Sequence, residues 1–173
     1  FADIPAGTGL GSSSAFTVGL LNALYAHKGQ LVSKEQLARE ACEIEIDILH
    51  EPIGKQDQYA VACGNINYIK FNRDDSVDVA PIYLTDPAKT ELEETLALFY
   101  VGGTRKASDI LHEQKQNILN EDKYRNLQKM VMLADELRGF LQNGQVEKLG
   151  EVLKRGWKYK KELASGISNS NID

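Results

Sequence analysis

Near its beginning the chain carries the sequence Pro5-Ala6-Gly7-Thr8-Gly9-Leu10-Gly11-Ser12-Ser13-Ser14-Ala15, which decides how the fold is interpreted. Glycines at alternate positions let a backbone turn tightly and bring its N–H groups close to an anion. The predicted helix that follows offers unpaired N–H groups and the positive end of its dipole, and both favour bound phosphate. The segment is therefore either a phosphate-binding loop, which we favour, or an ordinary Gly/Ser turn that caps an amphipathic helix.

Two well-known phosphate loops do not fit this spacing. A Walker A loop places a lysine directly before its Ser or Thr, whereas Gly11 precedes Ser12 in this chain. The dinucleotide fingerprint G-x-G-x-x-G differs from the G-x-G-x-G that Gly7, Gly9 and Gly11 form. Serine hydroxyls in the first helical turn remain available to donate hydrogen bonds or to bind Mg²⁺.

The composition is that of an ordinary globular protein. The chain has 173 residues, of which 42% are hydrophobic and 26% charged, and these values exclude collagen-like, disordered and disulfide-rich proteins. Its apolar runs are shorter than the roughly 20 residues that a membrane helix needs. Twenty Lys and Arg against 25 Asp and Glu give a net charge of −5, which disfavours general nucleic-acid binding. Cys42 and Cys63 lack metal-binding spacing, so a reduced, cytoplasmic protein is expected.

The first hundred residues show mixed helix and strand patterns. A helix is predicted over 12–27, with Gly29 as its stop, and Ser33 with Gln36 forms a capping box that starts a second helix reaching Leu49. Further predictions are a short helix over 56–63, a hairpin of strands over 65–71 and 77–82, and a buried strand over 96–101. The apolar side chains predicted to share one broad face of the first helix are Phe16, Leu20, Leu21, Leu24 and Tyr25.

After Thr104 the pattern becomes helical. Helices are predicted over 108–119, 123–143 and 146–164, with Gly144 between the last two. A boundary near residues 103–106 therefore separates a mixed part from an all-helical part, and the predicted fold class is α/β.

The loop closely resembles the ATP-binding loop of the GHMP kinases, the family of galactokinase, homoserine kinase, mevalonate kinase and phosphomevalonate kinase. Further along, Glu45 and then Pro52-Ile53-Gly54-Lys55-Gln56-Asp57-Gln58-Tyr59 resemble the glutamate, turn and Asp-Gln of its sugar kinases. The latter stretch, with Arg105-Lys106-Ala107-Ser108 and Trp157-Lys158-Tyr159-Lys160-Lys161, is most similar to the D-glycero-D-manno-heptose 7-phosphate kinase branch. The resemblance covers essentially the whole chain.

The resemblance implies a role for individual residues. Ser13 and Glu45 would bind Mg²⁺, and Asp57, twelve residues after Glu45, would accept or orient the proton of a sugar hydroxyl. Phosphoryl transfer needs mainly positioning and charge neutralisation, which such a set can supply. The residues implied to hold the ATP phosphates are Pro5, Gly7, Gly9, Leu10, Gly11, Ser12, Ser13 and Ser14.

The activity implied is ATP- and Mg²⁺-dependent transfer of the γ-phosphoryl group to a sugar hydroxyl. Heptose 7-phosphate is the expected acceptor, with galactose or fucose as the alternative sugars, and a non-catalytic nucleotide- or sugar-binding relative as the alternative function. The implied partner is a small sugar or sugar phosphate, without nucleic acid or membrane, and a homodimer is left open.

Each of these residues also has a simpler interpretation from spacing alone. Glu45 is flanked by Ile44 and Ile46 on an amphipathic helix, where a glutamate usually faces solvent. Asp57 would serve as a helix cap, and Lys55 as a solvated loop lysine. For Arg105 and Lys106, binding of a sugar phosphate, capping of a helix and pairing with Glu113 are left open.

The remaining candidate features of the C-terminal part favour structure over chemistry. The basic run from Lys154 to Lys161 alternates with glutamates at helical spacing, which predicts a solvated face of mixed charge. Trp157 is predicted to anchor the packing of two helices. His27, His50 and His112 share no ligand spacing, so they are assigned no role.

By resemblance, residues 1–104 are part of the ATP-binding, ribosomal-S5-like N-terminal domain of a GHMP kinase. Residues 105–173 are the helical start of its C-terminal domain. The chain is expected to be an internal segment, since the family carries one further motif on each side. Alone, the segment is expected to be inactive or very weak.

Overall fold

The computed structural model describes residues 10–99, 107–169 and Ile172. These residues form two compact units, the first made of 10–80 with 107–108 and the second of 81–99 with 109–169 and Ile172. Among them, β1 (Asn67–Phe71) and β2 (Val77–Pro81) pair as a two-stranded sheet. The elements are α1 (Ser12–His27), α2 (Lys34–Cys42), a π-helix (Glu43–Ile48), α3 (Gln56–Cys63), β1 (Asn67–Phe71), β2 (Val77–Pro81), α4 (Asp86–Thr95), α5 (Ala107–Asn117), α6 (Glu121–Gln142), a 3-10 turn (Val146–Lys148) and α7 (Leu149–Lys161).

Glycines in the left-handed region bound helix α1. Gly11 precedes the helix with φ +67°, and Gly29 follows it with φ +68°. A side chain at either position would strain the backbone, so glycine fixes both ends. The helix predicted over 12–27 is confirmed with these bounds.

Helix α1 has two apolar faces, so the prediction of a single broad face is wrong. Val18 is buried against Leu37 and Ala41 of α2, with Leu21 and Tyr25 packed beside it. The side chains of Phe16, Leu20 and Leu24 are exposed. Each residue advances the helix by about 100°, which places positions 16, 20 and 24 on one side and 18, 21 and 25 on another.

The core of the first unit joins α2, α3 and the hairpin. Ala38, Cys42 and Tyr59 are buried together, and Ile69 of β1 and Val77 of β2 pack on them. The predicted capping residue Ser33 accepts a hydrogen bond from the backbone N–H of Gln36 at 3.1 Å, as expected. The predicted hairpin and the helix over 56–63 are confirmed as well.

Residues 82–101 differ from the sequence-based expectation in two respects. Leu96 has extended backbone angles, yet residues 96–99 belong to no strand, and Leu98 and Phe99 are exposed, so the predicted buried strand is wrong over this part. An extended segment is buried as a strand only where neighbours satisfy its backbone, and the described sheet consists of β1 and β2. Residues 100 and 101 lie outside the described residues. Helix α4, which was not predicted, begins after Thr85, whose hydroxyl accepts from the N–H of Ala88.

Helices α6 and α7 pack together in the second unit. Leu163, Ala164 and Ile167 form its buried core, against which Trp157 packs as predicted. Gly144, with φ +72°, separates α6 from the turn that leads into α7. Arg155 of α7 pairs with Glu136 of α6 at 2.8 Å on the exposed surface.

Candidate active site

The described part of the glycine-serine loop ends in the first turn of α1. Pro5, Gly7 and Gly9, three of the predicted phosphate-binding residues, lie outside the described residues. From Leu10 onward the chain enters the helix, and its first helical bond runs from the N–H of Ala15 to the carbonyl of Gly11. The N–H groups ahead of Ala15 have no acceptor within the helix, which leaves them free for an anion.

The Glu45 carboxylate is buried, with 3% of the residue exposed. Its Oε2 accepts hydrogen bonds from Ser14 Oγ at 2.8 Å and from Gln58 Nε2 at 2.5 Å. These donors come from α1 and α3, so three helical segments meet at one carboxylate. The interpretation of Glu45 as a solvated residue is therefore wrong.

The second carboxylate oxygen of Glu45, Oε1, has a weaker hydrogen-bond donor than Oε2. The Thr17 hydroxyl lies 3.4 Å from Glu45 Oε1 and 3.1 Å from the carbonyl oxygen of Ser13. One hydroxyl proton serves one of these acceptors at a time. A carboxylate accepts about four hydrogen bonds, so Oε1 keeps capacity for a further donor or a cation.

The π-helix explains how Glu45 reaches the interior. It continues directly from α2, whose residues Ala38, Ala41 and Cys42 face the core. Glu45 extends that buried face at a spacing of three and four residues. The wider turn is marked by the bond from the N–H of Leu49 to the carbonyl of Ile44 at 2.9 Å, five residues back.

Asp57 lies in the first turn of α3 and is exposed to solvent. Its carboxylate lies beside Gly11: a Cβ added to Gly11 would stand 3.2 Å from Asp57 Oδ2. Lys55 precedes the helix as its N-cap, so the simpler interpretation of Asp57 as the capping residue is not what the structure shows. The structure thus brings Asp57 to the described end of the loop.

Ser14, rather than Ser13, contacts the predicted metal-binding glutamate. The Ser14 side chain is buried and bonded to Glu45, whereas the Ser13 side chain is exposed. The metal-binding role of Ser13 stays a prediction. Sequence reasoning did not single out Thr17 or Gln58; both carry signals, since Thr17 follows Ser14 at helical spacing and Gln58 directly follows Asp57.

The other charged candidates do not join this site. Lys55 Nζ pairs with Asp75 Oδ1 at 2.9 Å, and hydrogen bonding to Asp75 raises the pKa of the lysine. Arg105 and Lys106 lie outside the described residues. Within the described ranges, no group of three or more His, Cys, Asp or Glu side chains is arranged to hold a metal ion.

A separate open cavity of about 470 Å³ lies beside α2 and α3, lined in part by Cys42, Lys55 and Tyr59. None of Gly11, Ser14, Glu45 and Asp57 lines it. Burial raises the pKa of the Cys42 thiol to about 11, so this cysteine is protonated at neutral pH. The cavity therefore lacks an activated nucleophile and is distinct from the site around Glu45.

The donor set fits Mg²⁺. This ion prefers oxygen ligands and is usually bound by one or two carboxylates together with substrate phosphates and water. Glu45 is a buried carboxylate whose contacts in the described chain come from neutral donors, and burying a charge without a counter-charge is costly. A cation at Glu45 would relieve that cost.

The segment that contains this site matches a known family model. Residues 1–65 match the model of the GHMP kinases N terminal domain. The matched segment contains the glycine-serine loop, Glu45 and Asp57. The resemblance to the GHMP kinases is thereby confirmed, and the chain has the GHMP kinase fold.

Individual relatives are sugar kinases. The chain is 28% identical over 173 residues to D-glycero-alpha-D-manno-heptose 7-phosphate kinase of Campylobacter jejuni, covering 100% of this chain and 51% of that protein. It is 27% identical over 180 residues to the bifunctional fucokinase/GDP-fucose pyrophosphorylase of Arabidopsis thaliana, covering 100% of this chain and 17% of that protein.

A solved structure supports the same fold. The crystal structure of a D-glycero-D-manno-heptose 1-phosphate kinase from Bacteroides thetaiotaomicron superposes with a TM-score of 0.71 and 31% identity, over 96% of this chain and 48% of that one. The chain thus spans about half the length of the heptose phosphate kinases it matches. Among the described helices, none is both long and apolar enough to cross a membrane.

Proposed function

We propose that this chain carries the phosphate-binding loop, the metal carboxylate and the hydroxyl-facing carboxylate of an ATP- and Mg²⁺-dependent sugar kinase. The acceptor we propose is a heptose phosphate, because both heptose phosphate kinases above match nearly the whole chain. The compartment we propose is the cytoplasm, and a homodimer stays open.

The burial of Glu45 carries the proposal. A carboxylate that only supports a fold is rarely placed in the interior without a cationic partner, because its desolvation is not repaid. Here Ser14 and Gln58 fix Glu45 at the start of the helix that follows the loop. Bound at this carboxylate, Mg²⁺ would neutralise charge on the ATP phosphates during transfer.

Two further requirements of phosphoryl transfer fall to other groups of the chain in this proposal. The N–H groups of the first turn of α1 bind phosphate oxygens, and Gly11 lets the backbone approach them closely. Asp57, exposed beside Gly11, orients the acceptor hydroxyl and takes up its proton. The acceptor oxygen then meets the γ-phosphoryl group at the loop.

The experiment that tests this function is ADP release by the full-length protein over a panel of heptose 7-phosphate, heptose 1-phosphate, galactose and fucose. Asp57→Asn is compared with Asp47→Asn, which changes an exposed carboxylate on the neighbouring π-helix. We expect turnover with a heptose phosphate, a loss of at least about 100-fold in Asp57→Asn, and wild-type rates in Asp47→Asn.

Other outcomes would redirect the proposal. Turnover with galactose or fucose alone would keep the kinase and replace its acceptor. ATP binding without turnover on any sugar would contradict the kinase and favour a non-catalytic nucleotide-binding relative.

A further inference from the structure

Gln58 is the most completely buried polar side chain described next to the candidate site. It is 0% exposed, and its Nε2 donates to Glu45 Oε2 at 2.5 Å. A carboxylate only accepts hydrogen bonds, so the amide presents its nitrogen, rather than its carbonyl oxygen, to Glu45. That carbonyl oxygen, Oε1, is buried and has no donor within the described part of the chain.

We propose that Gln58 is a positioning residue that holds the Glu45 carboxylate in the orientation that binds the metal. This inference rests on the proposed kinase function. Gln58 and Ser14 both bind Oε2, from α3 and α1 respectively, so the carboxylate is fixed from two sides. The other oxygen of Glu45, Oε1, shares the Thr17 hydroxyl with the carbonyl of Ser13. Glu45 Oε1 is therefore the oxygen with capacity to bind a cation.

The buried Oε1 of Gln58 is a second, independent pointer to a ligand. An amide oxygen in the interior ordinarily finds a donor, because leaving it unpaired costs its full desolvation. The donor that Oε1 lacks has to come from outside the described chain, as a water molecule carried by the metal would. Outer-sphere contacts of this kind commonly orient the ligands of protein metal sites.

The test measures metal binding directly. Mn²⁺ binding to the full-length protein is followed by electron paramagnetic resonance of the free ion, in the presence of a non-hydrolysable ATP analogue. Gln58→Leu removes the amide at similar volume, and Gln56→Leu makes the same change at an exposed position two residues earlier. We expect Mn²⁺ affinity to fall at least about 10-fold in Gln58→Leu and to stay at the wild-type value in Gln56→Leu.

Further readouts separate positioning from a general effect on structure. The affinity for the ATP analogue without metal should be the same in Gln58→Leu and wild type, and the apparent KM for Mg²⁺ should rise while kcat at saturating Mg²⁺ is largely retained. Gln58→Asn keeps the amide one methylene shorter and should lose less Mn²⁺ affinity than Gln58→Leu. If Gln58→Leu does not fold, Gln58→Asn alone decides, with a loss of at least about threefold expected.

Each outcome bears on one proposal. Wild-type Mn²⁺ affinity in Gln58→Leu, or in Gln58→Asn where only that variant folds, would overturn the positioning role. An equal loss of metal-free nucleotide affinity would overturn it too. A wild-type protein that binds no Mn²⁺ with the ATP analogue would instead contradict the proposed function.

Discussion

The Asp57 carboxylate lies beside Gly11, so close that a methyl group at Gly11 would stand 3.2 Å from Asp57 Oδ2. The two residues are 46 positions apart in the sequence, and α3 brings them together by packing against α1. Glycine at position 11 thus adopts the left-handed backbone conformation and also leaves room for the Asp57 carboxylate.

Gly11→Ala is expected to impair both activity and stability. The left-handed backbone costs a residue with a Cβ about 1–2 kcal/mol, and the displaced Asp57 should lower kcat about 100-fold. Urea unfolding and ADP release measure the two effects. Gly19 lies in the middle of α1, and a Cβ added there would have nothing within 4 Å. Gly19→Ala should therefore stabilise the protein by about 1 kcal/mol. Wild-type kcat in Gly11→Ala would contradict the contact's importance.

Glu45→Gln is expected to weaken metal binding without lowering the stability of the fold. Loss of the charge should weaken Mn²⁺ binding about 100-fold, since a metal–carboxylate contact contributes several kcal/mol. Without metal the variant should be at least as stable as wild type, because it no longer buries an unpaired charge. Calorimetric Mn²⁺ titration and thermal unfolding check the two signs. Glu43→Gln, an exposed change on the same π-helix, should leave both values unaltered.

Ser14→Ala is expected to destabilise the protein by about 1.5–3 kcal/mol, because it removes a hydrogen bond to a buried carboxylate. Ser13→Ala, at the exposed neighbouring position, should change the free energy of unfolding by less than about 0.5 kcal/mol. Urea unfolding of the two variants measures the difference. The cost of Ser14→Ala should shrink in a Glu45→Gln background, and an undiminished cost there would show that the hydroxyl acts elsewhere.

The Cys42 thiol gives a pH dependence of stability. Burial raises its pKa from 9.0 to about 11, so the folded state favours the protonated form. The stability from this preference is complete below the unfolded pKa and is lost as pH rises from about 9 to 11. The free energy of unfolding should therefore fall over that range more steeply in wild type than in Cys42→Ala. Equal slopes would contradict the burial of the thiol.

Local sequence signals predicted most of the first unit. The bounds of α1 and α3 follow from glycines, apolar periodicity and the turn around Pro52, all of which act within a few residues. The hairpin likewise follows from alternation on either side of a turn. The helices after residue 107 agree with their predicted positions to within a few residues. The domain boundary near residue 104 stays a prediction.

Structural features that depend on packing between distant segments could not be predicted from local sequence signals. Helical spacing puts Glu45 on the same face as Ala41 and Cys42, yet a charged residue type argued against its burial. The donors that make the burial tolerable, Ser14 and Gln58, come from other helices. The choice between Ser13 and Ser14 as its neighbour likewise depends on where the π-helix places the carboxylate. The strand prediction for residues 96–99 was wrong for a related reason. An apolar run shows that a segment can be buried, but it does not show which strand would pair with it.

Asp57 and Gln58 are consecutive in the first turn of α3, one facing Gly11 and the other Glu45. The directions in which these two side chains point are therefore set by the rotational phase of a single short helix. Adding or removing one residue between Gln58 and the buried Cys63 would turn both side chains by about 100° relative to the packed end of α3 and misdirect them together. Length changes between Glu51 and Lys55, which lie ahead of the helix, leave that phase intact and should be tolerated better.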